Sequence, residues 1–258
     1  MMLLELRNVT KEYPLRARSL FKPRPCHTAV KQINLQIKKG ECVGLVGESG
    51  SGKSTIAKLI MKMESVTTGQ IILSGHPIHE RNMKDLKLYK HIQLVFQDSS
   101  SSLHPKMKVR QILAEPLCNY FSLENAMLEA SIQELLMLVK LDASLLNRYP
   151  HQLSGGQKQR VCIAKALAVK PEIIIFDESI ASLDQHSQIE IINMLKLIKQ
   201  KQKISYLFIT HDLKSTQKLC DRVMVIYQGE IVEAFSSMDS HQFSHPYTRL
   251  LFQDFEAK

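Results

Sequence analysis

The stretch "GESGSGKST" (residues 47–55) restricts the fold of this chain more than any other feature of the sequence. It has the pattern Gly-x4-Gly-Lys-Ser, follows the apolar run "CVGLVG" (42–47) and precedes "STIAKLIMKM" (54–63), whose apolar residues have helical spacing. Glycines in such a loop let backbone N–H groups surround phosphates, while Lys53 offsets their charge and the Ser54 hydroxyl can bind Mg²⁺. The pattern therefore predicts a phosphate-binding loop between a buried parallel strand and a helix.

Two other apolar runs, which end in "IIIFDE" and "FITHD", are also typical of buried strands, and ionisable side chains follow both. Because open α/β sheets bind ligands at the carboxyl ends of their strands, we expect these side chains beside the phosphate loop. We predict that Asp177 binds the metal, that Glu178 is the general base for water and that His211 hydrogen-bonds the γ-phosphate. Gln97, after "IQLVF", is expected to reach Mg²⁺ or the water through its amide. The alternatives are an ordinary acidic loop and a structural histidine.

Strands and helices alternate along the chain, which predicts an α/β core with a mainly parallel sheet. The segment from about 106 to 150 differs, since its apolar residues recur at helical intervals and Ser122 is a candidate N-cap. This segment predicts a helical insertion. "IEIINMLKLIKQ" predicts a crossover helix, and "RVMVIYQGEIVE" predicts two strands joined by a turn at Gly229.

The stretch "QLSGGQKQR" (152–160) has the features of a second anion site. Ser154, Gly155, Gly156 and Gln157 stand at the start of a predicted helix, where backbone N–H groups can bind an anion. The phosphate loop already surrounds one face of a triphosphate, so the second loop need not close on the nucleotide of its own chain. If two chains pack head to tail, each presents this loop to the nucleotide of its partner. An ordinary helix N-cap is the alternative.

The string "LSGGQ" before "DE" and a later "THD" resembles the ATP-binding subunits of ABC transporters over nearly the whole chain. "VFQDSSSSLHP" and "HPYTRLL" are similar to the peptide/nickel import branch, and "FQDS", "RVCIAKALAV" and "LFITHDL" resemble most the second ATPase of nickel importers. The resemblance implies that the "LSGGQ" loop closes over the ATP of the opposite subunit. It also implies that Tyr13 stacks on adenine and that Asp184 lies at the subunit interface. Ser179 and Ala181 depart from the family's pattern, which puts the serine contact expected at 181 in doubt.

The fold implied by the resemblance is a P-loop NTPase core of the RecA-like type with a mainly parallel sheet, an N-terminal antiparallel β part and a helical subdomain insertion. We expect one ABC ATPase domain over 1–258, with a core lobe at about 1–96 and 160–235, a helical subdomain at about 97–159 and a C-terminal extension at about 236–258. The predicted Mg²⁺ ligands are Ser54, Gln97 and Asp177. The predicted ATP-binding residues are Tyr13, Gly47, Glu48, Ser49, Gly50, Ser51, Gly52, Lys53, Ser54, Thr55, Ser154, Gly155, Gly156, Gln157 and Asp184.

The function implied by the resemblance is ATP hydrolysis that energises a bacterial importer of nickel, metal chelates or peptides. The expected partners are a second ATPase subunit (in a homodimer or heterodimer), two permease subunits and, indirectly, an extracytoplasmic substrate-binding protein. No apolar run approaches the length of a membrane span. We therefore expect a peripheral protein on the cytoplasmic face of the membrane.

The formal net charge of +9 favours a different class of protein, a soluble ABC ATPase that acts on nucleic acid. Residues 1–40 hold nine Lys and Arg against two acids, and much of this charge lies in "RARSLFKPRP" (16–25), where two prolines predict a loop. A solvated loop is the alternative. The chain has neither a duplicated cassette nor a long coiled-coil insertion, so we expect no nucleic-acid partner.

Overall fold

The computed structural model describes residues 1–15, 25–79, 85–96, 98, 102–181, 183–236 and 243–256. Gln97 and nearly all of the basic loop lie outside the described residues. The strands are β1 (Met2–Pro14), β2 (Cys26–Lys38), β3 (Cys42–Val46), β4 (Thr68–Leu73), β5 (His76–Pro77), β6 (Ile92–Val95), β7 (Ile173–Asp177), β8 (Ser205–Thr210), β9 (Arg222–Tyr227) and β10 (Glu230–Phe235). The α-helices are α1 (Lys53–Ile60), α2 (Asp85–His91), α3 (Val109–Tyr120), α4 (Asn125–Leu138), α5 (Gly155–Leu167), α6 (Gln185–Gln202), α7 (Leu213–Leu219) and α8 (Pro246–Glu256).

The larger sheet has six strands in the order β10-β9-β3-β8-β7-β6. All neighbours are parallel except β10, which runs antiparallel to β9. Within β7 and β8, alternate side chains enter different cores: Phe176 and Phe208 pack on one face, while Ile175 and Leu207 pack on the other. Burial on both faces explains why these strands appear as continuous apolar runs in the sequence. The predicted mainly parallel sheet is confirmed.

The carboxyl ends of β3, β7 and β8 lie at one edge of this sheet. Val46 pairs with Thr210, and Asp177 pairs with Ile209. The phosphate loop after β3, Glu178 after β7 and His211 after β8 therefore all begin at the same edge. This is the arrangement that the sequence predicted.

The smaller sheet is antiparallel, with the strand order β2-β1-β4-β5. Its inner face and the face of the large sheet that carries Ile175 and Leu207 enclose α1 in one apolar core. The backbone N–H of Lys31 on β2 donates to the carbonyl of Gly229, at the turn between β9 and β10, at 2.8 Å. The N-terminal antiparallel β part is thus present and forms one wall beside the phosphate loop.

The predicted helical insertion contains α3, α4 and two short 3₁₀ turns, at Ala143–Asn147 and Pro150–Gln152. Ile132, Leu135 and Leu136 of α4 are buried against the other face of the large sheet and α5. The predicted N-cap at Ser122 is wrong, because the cap residue of α4 is Glu124. Since α3 continues to Tyr120, Ser122 lies in the short connection between the two helices. The proposed boundaries of the lobes stay a prediction.

Within the part of the chain that the structure describes, we find no helix that combines the length and the apolar composition of a membrane span.

Candidate nucleotide-binding site

The phosphate loop surrounds the side chain of its own lysine. Lys53 is the first residue of α1 and is buried, and its ammonium Nζ donates to the carbonyls of Gly47 and Glu48, each at 2.7 Å. Burial lowers the pKa of Lys53, while the nearby carboxylates of Glu178 and Asp177 oppose that shift. A buried ammonium is stabilised by an anionic partner, so the loop is suited to a phosphate group.

Gly52 shows why the loop needs glycine. Its φ is +108°, in the left-handed region, and a Cβ at this position would lie 2.4 Å from the carbonyl oxygen of Ala29 on β2. A side chain would therefore force the loop away from the neighbouring strand. Because Gly52 directly precedes α1, this close approach fixes the position of the helix N-terminus, where backbone N–H groups face an incoming anion.

Asp177 and Ser54 form the polar contact at the end of β7. The Ser54 hydroxyl donates to Asp177 Oδ1 at 3.1 Å. Burial raises the pKa of Asp177, and the hydrogen bond from Ser54 acts in the opposite direction. The hydroxyl and carboxylate oxygens predicted as metal ligands thus lie together, whereas the third predicted ligand, Gln97, is outside the described residues.

Glu178 lies between the lysine of the phosphate loop and the histidine after β8. Its Oε1 is 3.7 Å from Lys53 Nζ, and its Oε2 is 3.6 Å from Nδ1 of the exposed His211 side chain. The backbone of Glu178 has φ +49°, which is unusual for a residue other than glycine, and its N–H donates to Ile209 O at 2.9 Å. This turn directs the carboxylate toward the phosphate loop. Lys53, Glu178 and His211, which are predicted to act at the phosphates, are therefore neighbours.

One cavity of about 480 Å³ contains the phosphate loop and the predicted adenine contact. Ser49, Thr55 and Glu178 line this phosphate-loop cavity, and Tyr13 lines it from β1. His27 and Ala29 also line it and were not predicted from the sequence; only the pairing of Tyr13 with His27 between β1 and β2 places them there. A single ligand can therefore contact both Tyr13 and the loop.

Tyr13 is held by groups that no motif identifies. Its hydroxyl donates to the carboxylate of Glu64, and the ammonium of Lys11 lies 5.0 Å from the centre of its ring. Burial and the hydrogen bond to Glu64 raise the pKa of Tyr13. Glu64 lies beyond the end of α1 and follows no recognisable pattern, so no sequence signal indicates its role.

The "LSGGQ" loop begins α5 with a capping box. The Ser154 hydroxyl accepts from the N–H of Gln157 at 3.2 Å, and the side-chain oxygen of Gln157 accepts from the N–H of Ser154 at 3.0 Å. Gly156 packs against the start of α6, where a Cβ would lie 3.2 Å from Ser187 Oγ. Asp184 caps α6 and accepts from the N–H and the hydroxyl of Ser187 at 3.0 and 2.7 Å.

Residues 154–157 are not among the described residues that line the phosphate-loop cavity. Tyr13, the phosphate loop and Glu178 line this cavity, and Asp177 and His211 lie beside it through their contacts with Ser54 and Glu178. The "LSGGQ" loop contributes none of the described lining residues. The helix N-cap considered as an alternative is present. It does not exclude an anion at the same helix N-terminus, because capping satisfies only part of the N–H groups there.

The model of the family described as "ABC transporter" matches residues 30–181. The chain belongs to this family. It is 40% identical to the nickel import ATP-binding protein NikE of Brucella suis biovar 1 (strain 1330) over 252 residues, 97% of this chain and 94% of the relative. It is 42% identical to NikE of Escherichia coli O6:K15:H31 over 253 residues, 97% of this chain and 93% of the relative. The family resemblance and the predicted ATPase activity are confirmed.

Solved structures of ATP-binding cassettes have the same fold. A dimeric post-hydrolysis state of the cassette MJ0796 bound to ADP and Pi has a TM-score of 0.78 and 30% sequence identity, covering 91% of this chain and 98% of that one. The structure of cbiO1 from Clostridium perfringens, part of the ABC transporter complex cbiONQ, has a TM-score of 0.79 and 27% identity, covering 91% and 88%. The predicted P-loop NTPase fold is confirmed.

We expect Tyr13→Ala to weaken ATP binding to this ABC ATPase by roughly 1–3 kcal/mol, by analogy with base–aromatic stacking. Tyr13→Phe keeps the ring in the cavity and loses only the hydrogen bond to Glu64, so its effect should be much smaller. Equilibrium titration with a fluorescent ATP analogue measures both variants. Equal losses would indicate that the hydroxyl, and not the ring, is responsible.

Proposed function

We propose that the chain is an ATP-hydrolysing subunit of a bacterial nickel importer. The observation that carries this proposal is the 40–42% identity to two NikE proteins over 97% of the chain. Metal chelates and peptides are the alternative cargoes within the same branch. An ATPase subunit can drive metal import without binding the metal, and no group of three or more His, Cys, Asp or Glu side chains in the described part of the chain is arranged to hold one.

In the proposed reaction, Glu178 takes a proton from the attacking water while the oxygen of that water bonds to the γ-phosphorus of ATP. The bond from the γ-phosphorus to the bridging oxygen breaks, and ADP leaves with phosphate. Lys53 offsets the charge of the phosphates, and His211 hydrogen-bonds the γ-phosphate. The contacts of Glu178 with both Lys53 and His211 support these roles.

The same edge of the sheet has the oxygen ligands that Mg²⁺ prefers. The hydrogen bond between Ser54 and Asp177 brings one hydroxyl and one carboxylate together within reach of the phosphate loop. We infer that these two residues hold the metal, with Gln97 as the third protein ligand. When bound, Mg²⁺ would neutralise the negative charge that develops on the phosphates.

We propose that the ATP site is completed by a second ATPase subunit. Ser154, Gly155, Gly156 and Gln157 lie outside the cavity of their own chain, which supports their use by the nucleotide of a partner. Asp184, at the start of α6 beside this loop, would lie at the same interface. The MJ0796 cassette bound to ADP and Pi is a dimer with this fold, and the partner here is a second copy or a related ATPase.

The proposed complex also contains two permease subunits and receives cargo from an extracytoplasmic substrate-binding protein. The chain then lies on the cytoplasmic face of the membrane, held by the permeases. The cbiO1 cassette, which has this fold, is part of the ABC transporter complex cbiONQ, and this supports a place for the chain in such a complex.

A reconstituted transporter tests the cargo. The chain, its partner ATPase and the two permeases would be placed in lipid vesicles, and phosphate release would be measured with the substrate-binding protein either empty or loaded. We expect Ni²⁺-loaded binding protein to stimulate ATP hydrolysis above the empty protein, and dipeptide-loaded protein to have no such effect. Stimulation by dipeptide alone would overturn the nickel proposal and leave the ATPase assignment intact.

The competing function, an ABC ATPase that acts on nucleic acid, is favoured by the net charge of +9. Such binding depends on counterion release, so it weakens steeply as salt rises. We expect no shift of duplex DNA or RNA by the full chain at physiological salt. A salt-sensitive shift that adding ATP changes would support the competing function.

A further inference from the structure

Tyr247 connects the C-terminal segment to the phosphate loop. The side chain belongs to α8 and is 7% exposed, and its hydroxyl oxygen accepts a hydrogen bond from the backbone N–H of Glu48 at 2.9 Å. Burial raises the pKa of Tyr247, so the hydroxyl stays neutral at physiological pH. Tyr247 lies in the motif "HPYTRLL". The resemblance of this motif to the import branch does not indicate a role for the tyrosine.

The loop side of this contact is also held by Lys53. The carbonyl of Glu48 accepts from Lys53 Nζ at 2.7 Å and from the N–H of Ser51 at 3.2 Å. Tyr247 therefore holds the N–H of Glu48, while Lys53 and Ser51 hold its carbonyl. Both polar groups of the Glu48 backbone are therefore hydrogen-bonded, and the acceptor for its N–H lies 199 residues further along the chain.

The ring of Tyr247 is fixed by aromatic packing. It stacks on Tyr227, at the end of β9, with the ring centres 4.2 Å apart. Phe243 and Phe252 pack on each other at 4.3 Å, and both contact Phe235 on β10. Since β9 is the direct neighbour of β3, which leads into the phosphate loop, this packing places the Tyr247 hydroxyl beside the loop.

The chain before α8 is fixed as well. The carboxylate of Glu233 on β10 accepts from the N–H and the hydroxyl of Ser244, at 2.7 and 2.9 Å. Nδ1 of His245 accepts from the N–H of Tyr247 at 3.2 Å, and the guanidinium of Arg249 donates to Phe243 O at 2.8 Å. These hydrogen bonds attach the N-terminal end of α8 to β10 and to the residues just before the helix.

We propose that Tyr247 is a positioning residue for ATP, which keeps the phosphate loop in its binding shape through the N–H of Glu48. The proposal rests on the assignment of that loop as the ATP site. It has a reciprocal consequence, because coupling between two sites acts in both directions. If docking of α8 favours the loop conformation that binds ATP, then bound ATP must stabilise the docking of α8 to the same extent.

Tyr247→Phe is the variant that isolates the hydroxyl. It keeps the aromatic packing and leaves the N–H of Glu48 without the acceptor that Tyr247 supplies, so part of the population holds the loop in another shape and apparent affinity falls in proportion. We expect the Kd of the full chain for Mg-ATP to rise about fivefold to tenfold, which corresponds to the loss of one ordinary hydrogen bond. The kcat at saturating ATP should change much less than KM.

Tyr227→Phe is the matched control. It removes a hydroxyl from the same stacked pair, but that hydroxyl accepts from its neighbour Gln228 at 3.1 Å and no hydrogen bond to the phosphate loop is found among the described residues. We expect its Kd for ATP to equal that of the wild type. Equal increases in the two variants would mean that the stack, and not the contact with Glu48, supports binding.

The thermal shift caused by ATP separates positioning from simple stabilisation. Saturating ATP raises the Tm of any chain that binds it, and a merely structural role for Tyr247 would lower Tm equally with and without ATP. We expect a smaller ATP-dependent shift in Tyr247→Phe than in Tyr227→Phe at one fixed, subsaturating ATP concentration. An unchanged shift together with an unchanged Kd would overturn the proposal.

Hydrogen exchange on the wild-type chain tests the reciprocal effect without any change at Tyr247. We expect Mg-ATP to slow amide exchange in residues 246–253, and Lys53→Ala, which removes ATP binding, to abolish that protection. Exchange in α8 that is indifferent to bound ATP would contradict the coupling. Failure of the wild type to bind ATP at all would instead contradict the proposed ATP site, so the two failures are distinguishable.

Discussion

Replacing Glu178 with glutamine is expected to slow ATP hydrolysis by about 10²–10⁴-fold while ATP binding survives. Glutamine has nearly the same shape but cannot take a proton from water, and it removes the negative charge beside Lys53 and His211. Phosphate release under saturating Mg-ATP measures the loss, and a filter assay for retained nucleotide measures binding. ATP should remain bound for longer than in the wild type, because the step that ends the ATP-bound state is blocked.

Lys53→Ala is the contrasting variant. Its ammonium is buried within the loop that would hold the phosphates, so its removal should abolish tight ATP binding and, with it, hydrolysis. The two variants therefore lose the same activity for different reasons, and nucleotide retention tells them apart. If Glu178→Gln lost ATP as Lys53→Ala does, the carboxylate would be part of the binding site and another group would be the base.

The parts of the site that could be predicted from the sequence are residues that directly follow a recognisable strand or loop motif. Asp177 and Glu178 follow a run buried on both faces, and such a run is typical of an interior strand in a covered sheet. Once the strands are parallel, their carboxyl ends meet at one edge, and Lys53, Glu178 and His211 must lie near one another. Periodicity and one topological rule were sufficient for this.

The parts that the sequence did not predict depend on contacts between distant segments. Glu64 holds Tyr13 across 51 residues, and Tyr247 holds Glu48 across 199. Neither pair has a spacing that a local pattern could show, because each is created by strand pairing and aromatic packing elsewhere. The error at Ser122 is a local one, because α4 begins at Asn125 with Glu124 as its N-cap, two residues later than a cap at Ser122 would place it.

Ser154→Arg is expected to leave ATP binding to one chain almost unchanged and to abolish hydrolysis in the assembled transporter. Ser154 does not line the phosphate-loop cavity of its own chain, so the substitution should not change the affinity of that cavity for ATP. Across a shared interface, a bulky cation would replace the Ser154 hydroxyl, block access to the backbone N–H donors of the "LSGGQ" loop and prevent the two subunits from closing on the nucleotide. Phosphate release by the complex and nucleotide titration of the single chain measure the two effects.

Mixing Ser154→Arg chains with Glu178→Gln chains tests whether two copies share the site. One site of each mixed dimer has an intact base and an intact "LSGGQ" loop, while the other has both defects. If the two sites can act independently, the mixture should recover part of the activity that each variant has lost. A gain above the sum of the separate variants supports sharing between copies, whereas sites that must act together would hide it.

Crosslinking gives the more direct result, because it does not depend on whether the two sites hydrolyse ATP independently or together. A chain with Ser154→Cys is combined with one carrying Ser49→Cys in the phosphate loop, and the exposed Cys26 and Cys118 are replaced by serine in both. When the partner is a related ATPase, the cysteine is placed at its corresponding serine. We expect a bond between subunits only when ATP is present, since the nucleotide must lie between the two loops to bring them within reach. No bond between subunits with ATP, together with a bond inside a single chain that carries both cysteines, would mean that the "LSGGQ" loop serves its own nucleotide, and the proposal of a shared site would then be wrong.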